Sequence, residues 1–154
     1  MLHYAFLGFL GIVVLAASWI DVTQRRIPNW LSGINFLAGF GFVLLNGGLS
    51  AVGWTLLHVA IALLICMLLF AKGVIGAGDA KFYASMAAWL PFSEGLTLLI
   101  SVALAGLLVL VAFVLWRLRL RPHRKVSRSS GFAKLPYGVA IGFGGLLAIA
   151  LSWL

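Results

Sequence analysis

Charge is scarce in this chain. Only 9% of its 154 residues are charged, and just three are acidic. Soluble domains carry about 25% charged residues, so the composition argues against a soluble enzyme, a disordered tail or a DNA-binding module. The single cysteine, Cys66, lies inside an apolar run, which leaves neither a disulfide framework nor a cysteine-based zinc site. What is abundant is hydrophobic: 64% of the residues, with a mean hydropathy of +1.16. The composition is that of an integral membrane protein. A spanning helix takes about 20 apolar residues. The length therefore holds six or so spans and no second soluble domain, and residues 1–154 read as one transmembrane domain.

Six apolar segments are separated by visible punctuation. The first runs from about Leu2 to Ile20; with no Lys or Arg before it and Ser18-Trp19-Ile20-Asp21 at its end, it reads as a membrane helix, not a cleaved signal. The second runs from Trp30 to about Leu45 and the third from Ala51 to Phe70, parted by the turn signal Asn46-Gly47-Gly48. The fourth, from Ala80 to Leu90, is short for a span, and Pro91 to Gly95 ends it. The fifth runs from Leu96 to Trp116 and the sixth from Pro136 to Leu154.

The cations give these segments an orientation. All eleven Lys and Arg fall in three places: Arg25 and Arg26, Lys72 and Lys81, and the stretch from Arg117 to Lys134. The alternate loops, at Asn46–Ser50 and Pro91–Gly95, carry none. Under the positive-inside rule the basic loops face the cytoplasm and both termini lie outside. The expected fold is all-α, with six transmembrane helices, the fourth short and shielded by its neighbours. The net charge of +8 then reflects topology and lipid headgroup contact, not nucleic-acid binding. Trp19, Trp30, Trp54, Trp89, Trp116 and Trp153 fall mostly near span ends, as an interfacial aromatic belt requires.

Of the three carboxylates, Glu94 reads as a solvated charge in an outer turn. Asp21 and Asp79 stand at two inner membrane boundaries, so the topology places them at one depth on one side. Each has a plain structural role open to it: Asp21 beside Arg25, and Asp79 as a cap of the fourth helix. Ionisable groups at membrane depth are, however, functional candidates. Two adjacent carboxylates share a proton, one activating water while the other polarises a carbonyl. His3, His58 and His123 have no common location, so no serine–histidine–acid set competes, and two Asp without a converging His make a poor metal site. Cys66 reads as a small packing residue.

The local sequences are specific. Asp21 precedes Ile27-Pro28-Asn29, Asp79 sits in Gly76-Ala77-Gly78-Asp79-Ala80-Lys81, and Pro136-Tyr137-Gly138 opens the last segment. Gly76 and Gly78 permit tight turns and close backbone approach. In order and spacing these stretches resemble the type IV prepilin peptidases, intramembrane aspartic proteases of the Gly-x-Gly-Asp class. The resemblance implies that Asp21 and Asp79 are the catalytic pair. It marks Gly76, Gly78, Lys81, Pro28, Asn29, Pro136, Tyr137 and Gly138 as residues that shape the site or hold substrate, with no metal or other cofactor. The implied partners are membrane lipids and prepilin-like substrates, whose short basic leader is cut after a Gly at the cytoplasmic face of a prokaryotic inner membrane. Longer members carry a cytoplasmic insertion, often with Cys-x-x-Cys pairs, and methylate the new N-terminus. This chain resembles the short form of tight-adherence (Flp-type) pili, which puts methyl transfer in doubt. Two other classes remain open at this point: an ion-coupled transporter subunit, and a non-catalytic scaffold for pilus assembly.

Overall fold

The computed structural model describes residues 2–120 and 137–153. Within them the chain forms α1 (Leu2–Gln24), α2 (Asn29–Ala71), α3 (Ala77–Ala87), a single 3-10 turn (Phe92–Glu94), α4 (Gly95–Leu120) and α5 (Tyr137–Ser152). The stretch Leu2–Gln24, the stretch Asn29–Ala71 and the stretch Phe92–Trp116 are each long and apolar enough to cross a membrane, whereas α5 is a shorter apolar helix. Large apolar side chains such as Leu15, Leu49, Leu64 and Leu108 face outward along these helices. An apolar exterior of this extent marks a surface that meets lipid, not water.

Cross-helix contacts give each helix a direction. In α2, Asn29 bonds Lys81, Asn35 bonds Ser85, and Gly39 backs onto Trp89, so the first arm of α2 runs parallel to α3. Beyond Gly48 the chain returns: His58 Nδ1 lies 3.1 Å from the Leu90 carbonyl, and Cys66 reaches the surroundings of Tyr83. Thus α2 is a hairpin of two arms. The reversal is concentrated at Gly48 (φ 64°, ψ −167°), a conformation that a Cβ would strain. The sequence expectation of a non-helical break over Asn46–Gly48 is corrected in detail, since Asn46 and Gly47 stay helical and Asn46 Nδ2 donates to the Phe42 carbonyl (2.8 Å).

The remaining helices complete an alternating pattern. Along α1 the contacts pass from His3, edge-on to Phe42 and Trp153, to Asp21 at Gly138. α5 runs the opposite way beside it. α4 descends antiparallel to α5, where glycine permits backbone contact: a Cβ on Gly144 would lie 2.5 Å from Val102 Cα. Close approach at small residues is how helices associate in lipid, where burial of apolar surface gives no net drive. The bundle therefore has two distinct ends. One gathers Asp21, Asn29, Asp79, Lys81 and Gly138; the other gathers His3, Phe42, Trp89 and Trp153.

Two expectations about local structure change. The fourth helix starts at Ala77 rather than Ala80, because Gly76 caps it in an extended conformation and Asp79 closes on the Gly76 N–H. It ends at Ala87 in tightened i to i+3 bonds ahead of Pro91. Ala80, Phe82, Ala84, Ser85, Met86 and Ala87 on this short helix are buried by its neighbours. Trp89 does not join an interfacial belt. It is 1% exposed, covers Gly39 and donates from Nε1 to Asn35 Oδ1 (3.2 Å). Trp153 is stacked on Phe42 at 4.1 Å, whereas Trp19, Trp30, Trp54 and Trp116 face outward.

Candidate active site

Asp21 lies in the last turn of α1 with 5% of its surface exposed. Its Oδ2 accepts a 2.8 Å hydrogen bond from the Gly138 N–H, and the Val139 backbone bonds it as well. These donors are free because the first turn of any helix leaves its N–H groups unpaired. The N-terminus of α5, with the positive end of its dipole, is thus directed at a carboxylate. The charge of Arg25 also acts on Asp21. Arg25 adopts φ 55° and closes α1 through its N–H to the Asp21 carbonyl (2.9 Å), turning the chain sharply into Ile27-Pro28-Asn29.

Asp79 lies in the first turn of α3 and is half-buried. The loop before it turns at Gly73 (φ 71°), and Asp79 Oδ2 accepts from the Gly76 N–H at 3.2 Å. Gly78 lets α3 approach the α1–α2 connection, since a Cβ there would lie 3.1 Å from the Ile27 carbonyl oxygen. Two residues on, Lys81 Nζ donates to Asn29 Oδ1 at 3.1 Å. The Asp21 charge acts on Asp79. The two acids, remote in sequence, stand at the same end of the bundle on different helices.

Most of the residues singled out from sequence meet here. Asp21, Asp79, Gly76, Gly78, Lys81, Asn29 and Gly138 interlock through the contacts above. Pro28, extended at φ −71°, starts α2 and lines a cavity of about 290 Å³ with Gln24, Arg26, Ile27 and Asn29. Tyr137 opens α5 and is exposed. Pro136, His123 and most of the basic stretch from Arg117 to Lys134 lie outside the described residues. Glu94, bonded by Thr97, and His58, buried against Leu90, are at the opposite end of the bundle.

One contributor escapes the sequence reading, which names Ile27 only as part of a motif. Ile27 is 4% exposed and touches two of the three motif glycines: its backbone faces Gly78, and its Cδ1 would lie 2.7 Å from a Cβ on Gly138. The signal that could have found it is the pair of glycines, each of which needs a neighbour to occupy the space a side chain leaves.

Residues 8–113 match the sequence profile of the type IV leader peptidase family. The chain belongs to that family. The matched stretch contains both carboxylates, Ile27-Pro28-Asn29 and the whole of Gly76 to Lys81, and it ends within α4, before α5. No curated protein and no solved structure matches the chain significantly. Membership in a leader peptidase family, together with the long apolar helices, supports a membrane-integrated protease.

Proposed function

We propose that this leader peptidase is an intramembrane aspartic endopeptidase in which Asp21 and Asp79 form the catalytic pair. Its substrates are prepilin-like proteins, with a short basic leader in the cytoplasm followed by an apolar helix in the bilayer. The reading rests chiefly on two carboxylates, carried by separate helices to one end of the bundle, with the charge of Asp21 acting on Asp79. In this proposal α1, the two arms of α2, α3, α4 and α5 make six spans, with both termini outside and the acid end at the cytoplasmic face of a prokaryotic inner membrane. Lys72, Arg25 and Arg26 at the acid end agree with that orientation.

The chemistry needs one ionised and one protonated carboxyl. The ionised Asp takes a proton from water, and the water oxygen attacks the scissile carbonyl carbon. The protonated Asp gives its proton to the carbonyl oxygen, forming a gem-diol. Collapse breaks the C–N bond as a proton passes to the leaving nitrogen, and the pair is restored with its single shared proton. No step calls on a methyl donor, so the proposed activity is cleavage alone.

A transporter fits the geometry less well. Proton relays place ionisable groups along a path across the bilayer, whereas Asp21 and Asp79 gather at one end and Glu94 stands at the other. A scaffold predicts that replacing either Asp is silent. The test is incubation of the detergent-solubilised full chain with a peptide carrying a basic leader, a Gly and an apolar segment. A cut after the Gly, lost on Asp21→Asn or Asp79→Asn, supports the protease; cleavage that survives either change overturns the pair.

A further inference from the structure

The segment joining α1 to α2 does more than connect them. It leaves the end of α1, which carries Asp21, and packs against the first turn of α3, which carries Asp79, and against the start of α5. Asp21 is followed by the tight turn at Arg25, which brings Ile27 back against the start of α5, where Gly138 holds Asp21 Oδ2. On the other flank the first turn of α3 is packed onto the Ile27 backbone at Gly78, the residue immediately before Asp79. The same segment is tied to α3 by Lys81 Nζ donating to Asn29 Oδ1.

We propose that residues 27–29 act as a spacer that sets the gap between Asp21 and Asp79, with Ile27 seated between Gly78 and Gly138 and the Lys81–Asn29 hydrogen bond fastening it to α3. Ile27, Asn29 and Lys81 are positioning residues: they act on the reaction through the two carboxylates. Lys81 then serves the register of the pair and not an attachment to lipid headgroups. The proposal rests on the protease reading above and adds to it a source for the geometry of the pair. An incompressible side chain suits the purpose, because packed interiors transmit small displacements instead of absorbing them.

The experiment is a cleavage assay on the full chain in detergent, with leader-bearing peptide, comparing Lys81→Met, Asn29→Ala, the double variant, Lys81→Arg and Ile27→Val. A hydrogen bond to a charged donor is lost in either single variant, so kcat should fall by about tenfold in each. The double variant should be no slower than the slower single, since both remove one interaction. Lys81→Arg keeps a cationic donor and should recover most of the Lys81→Met loss. Ile27→Val removes only Cδ1 and leaves the fold in place; it should lower kcat by about fivefold, the size of effect that sub-ångström displacement produces. In every case KM should change less than kcat. Losses from Lys81→Met and Asn29→Ala that multiply, a loss confined to KM, or full activity in Lys81→Met would overturn the spacer while leaving the protease standing. A wild-type chain that fails to cut the peptide would overturn the protease reading and the spacer with it.

Discussion

Gly138 and Asp21, separated by 117 positions, are joined by a 2.8 Å hydrogen bond from the Gly138 N–H to Asp21 Oδ2. The bond places the start of the last helix on the carboxylate that ends the first. A Cβ there would stand 2.7 Å from Ile27 Cδ1 and 2.9 Å from Asp21 Oδ2, so the ends of these two side chains would have to move. Gly138→Ala should therefore push Asp21 off its donor. Overpacking of this kind destabilises by about 1–3 kcal/mol. Activity should fall further, by about a hundredfold, since displacement of a catalytic group by about 1 Å has that effect. Thermal unfolding in detergent and the peptide assay, run side by side, separate the two.

The two acids should respond alike in activity while sparing the fold. Asparagine retains a carbonyl oxygen, so Asp21→Asn can still accept from Gly138, and Asp79→Asn from Gly76. Neither variant can exchange a proton as a carboxyl does. Each should lower cleavage by at least about a hundredfold, the lower range for losing a general acid or base. Membrane level and unfolding temperature should stay close to wild type. Equal loss of protein and activity would instead assign the carboxylates a structural role.

The placement of Asp21 and Asp79 at one end of the bundle is legible from sequence because it follows from coarse features: where apolar runs stop and which loops hold Lys and Arg. Gly138 was legible only through the family resemblance, as nothing in a Pro-Tyr-Gly stretch announces which carboxylate lies beneath it. Ile27 was not legible as a wedge, because its neighbours Gly78 and Gly138 come from elements distant in sequence. Trp89 misled for a related reason. A Trp at the end of a short helix resembles an interfacial anchor, and only the facing Gly39 and the acceptor on Asn35 turn it inward. The onset of α3 shifted because Asp79 closes the Gly76 N–H, a local bond that outweighs the poor helix propensity of glycine.

Asn35 should matter for stability and little for chemistry. It is fully buried, donates to Ser85 Oγ at 2.9 Å and accepts from Trp89 Nε1, so it ties the first arm of α2 to the α3 region well away from the acids. Asn35→Leu leaves the indole N–H without its acceptor. Polar contacts between membrane helices are worth about 0.6–2 kcal/mol, so the unfolding transition should shift by an amount in that range. Cleavage measured well below that transition should stay within about twofold of wild type, a change in barrier of under 1 kcal/mol. A loss as large as that of Asp79→Asn would extend the site to mid-bundle.

The sidedness of the acid end can be read chemically, because Cys66 is the one cysteine in the sequence and is buried. In a Cys66→Ala background, Val74→Cys puts a thiol on the exposed loop before α3, at the acid end. Ser93→Cys puts one on the exposed 3-10 turn at the other end. The loop at Val74 follows Lys72, and the turn at Ser93 has no cation beside it, so the positive-inside rule assigns them to opposite faces. A membrane-impermeant maleimide applied to intact spheroplasts should label Ser93→Cys and should reach Val74→Cys only after permeabilisation. The reverse pattern would put Asp21 and Asp79 at the outer surface, out of reach of the cytoplasmic leader that the proposed function requires.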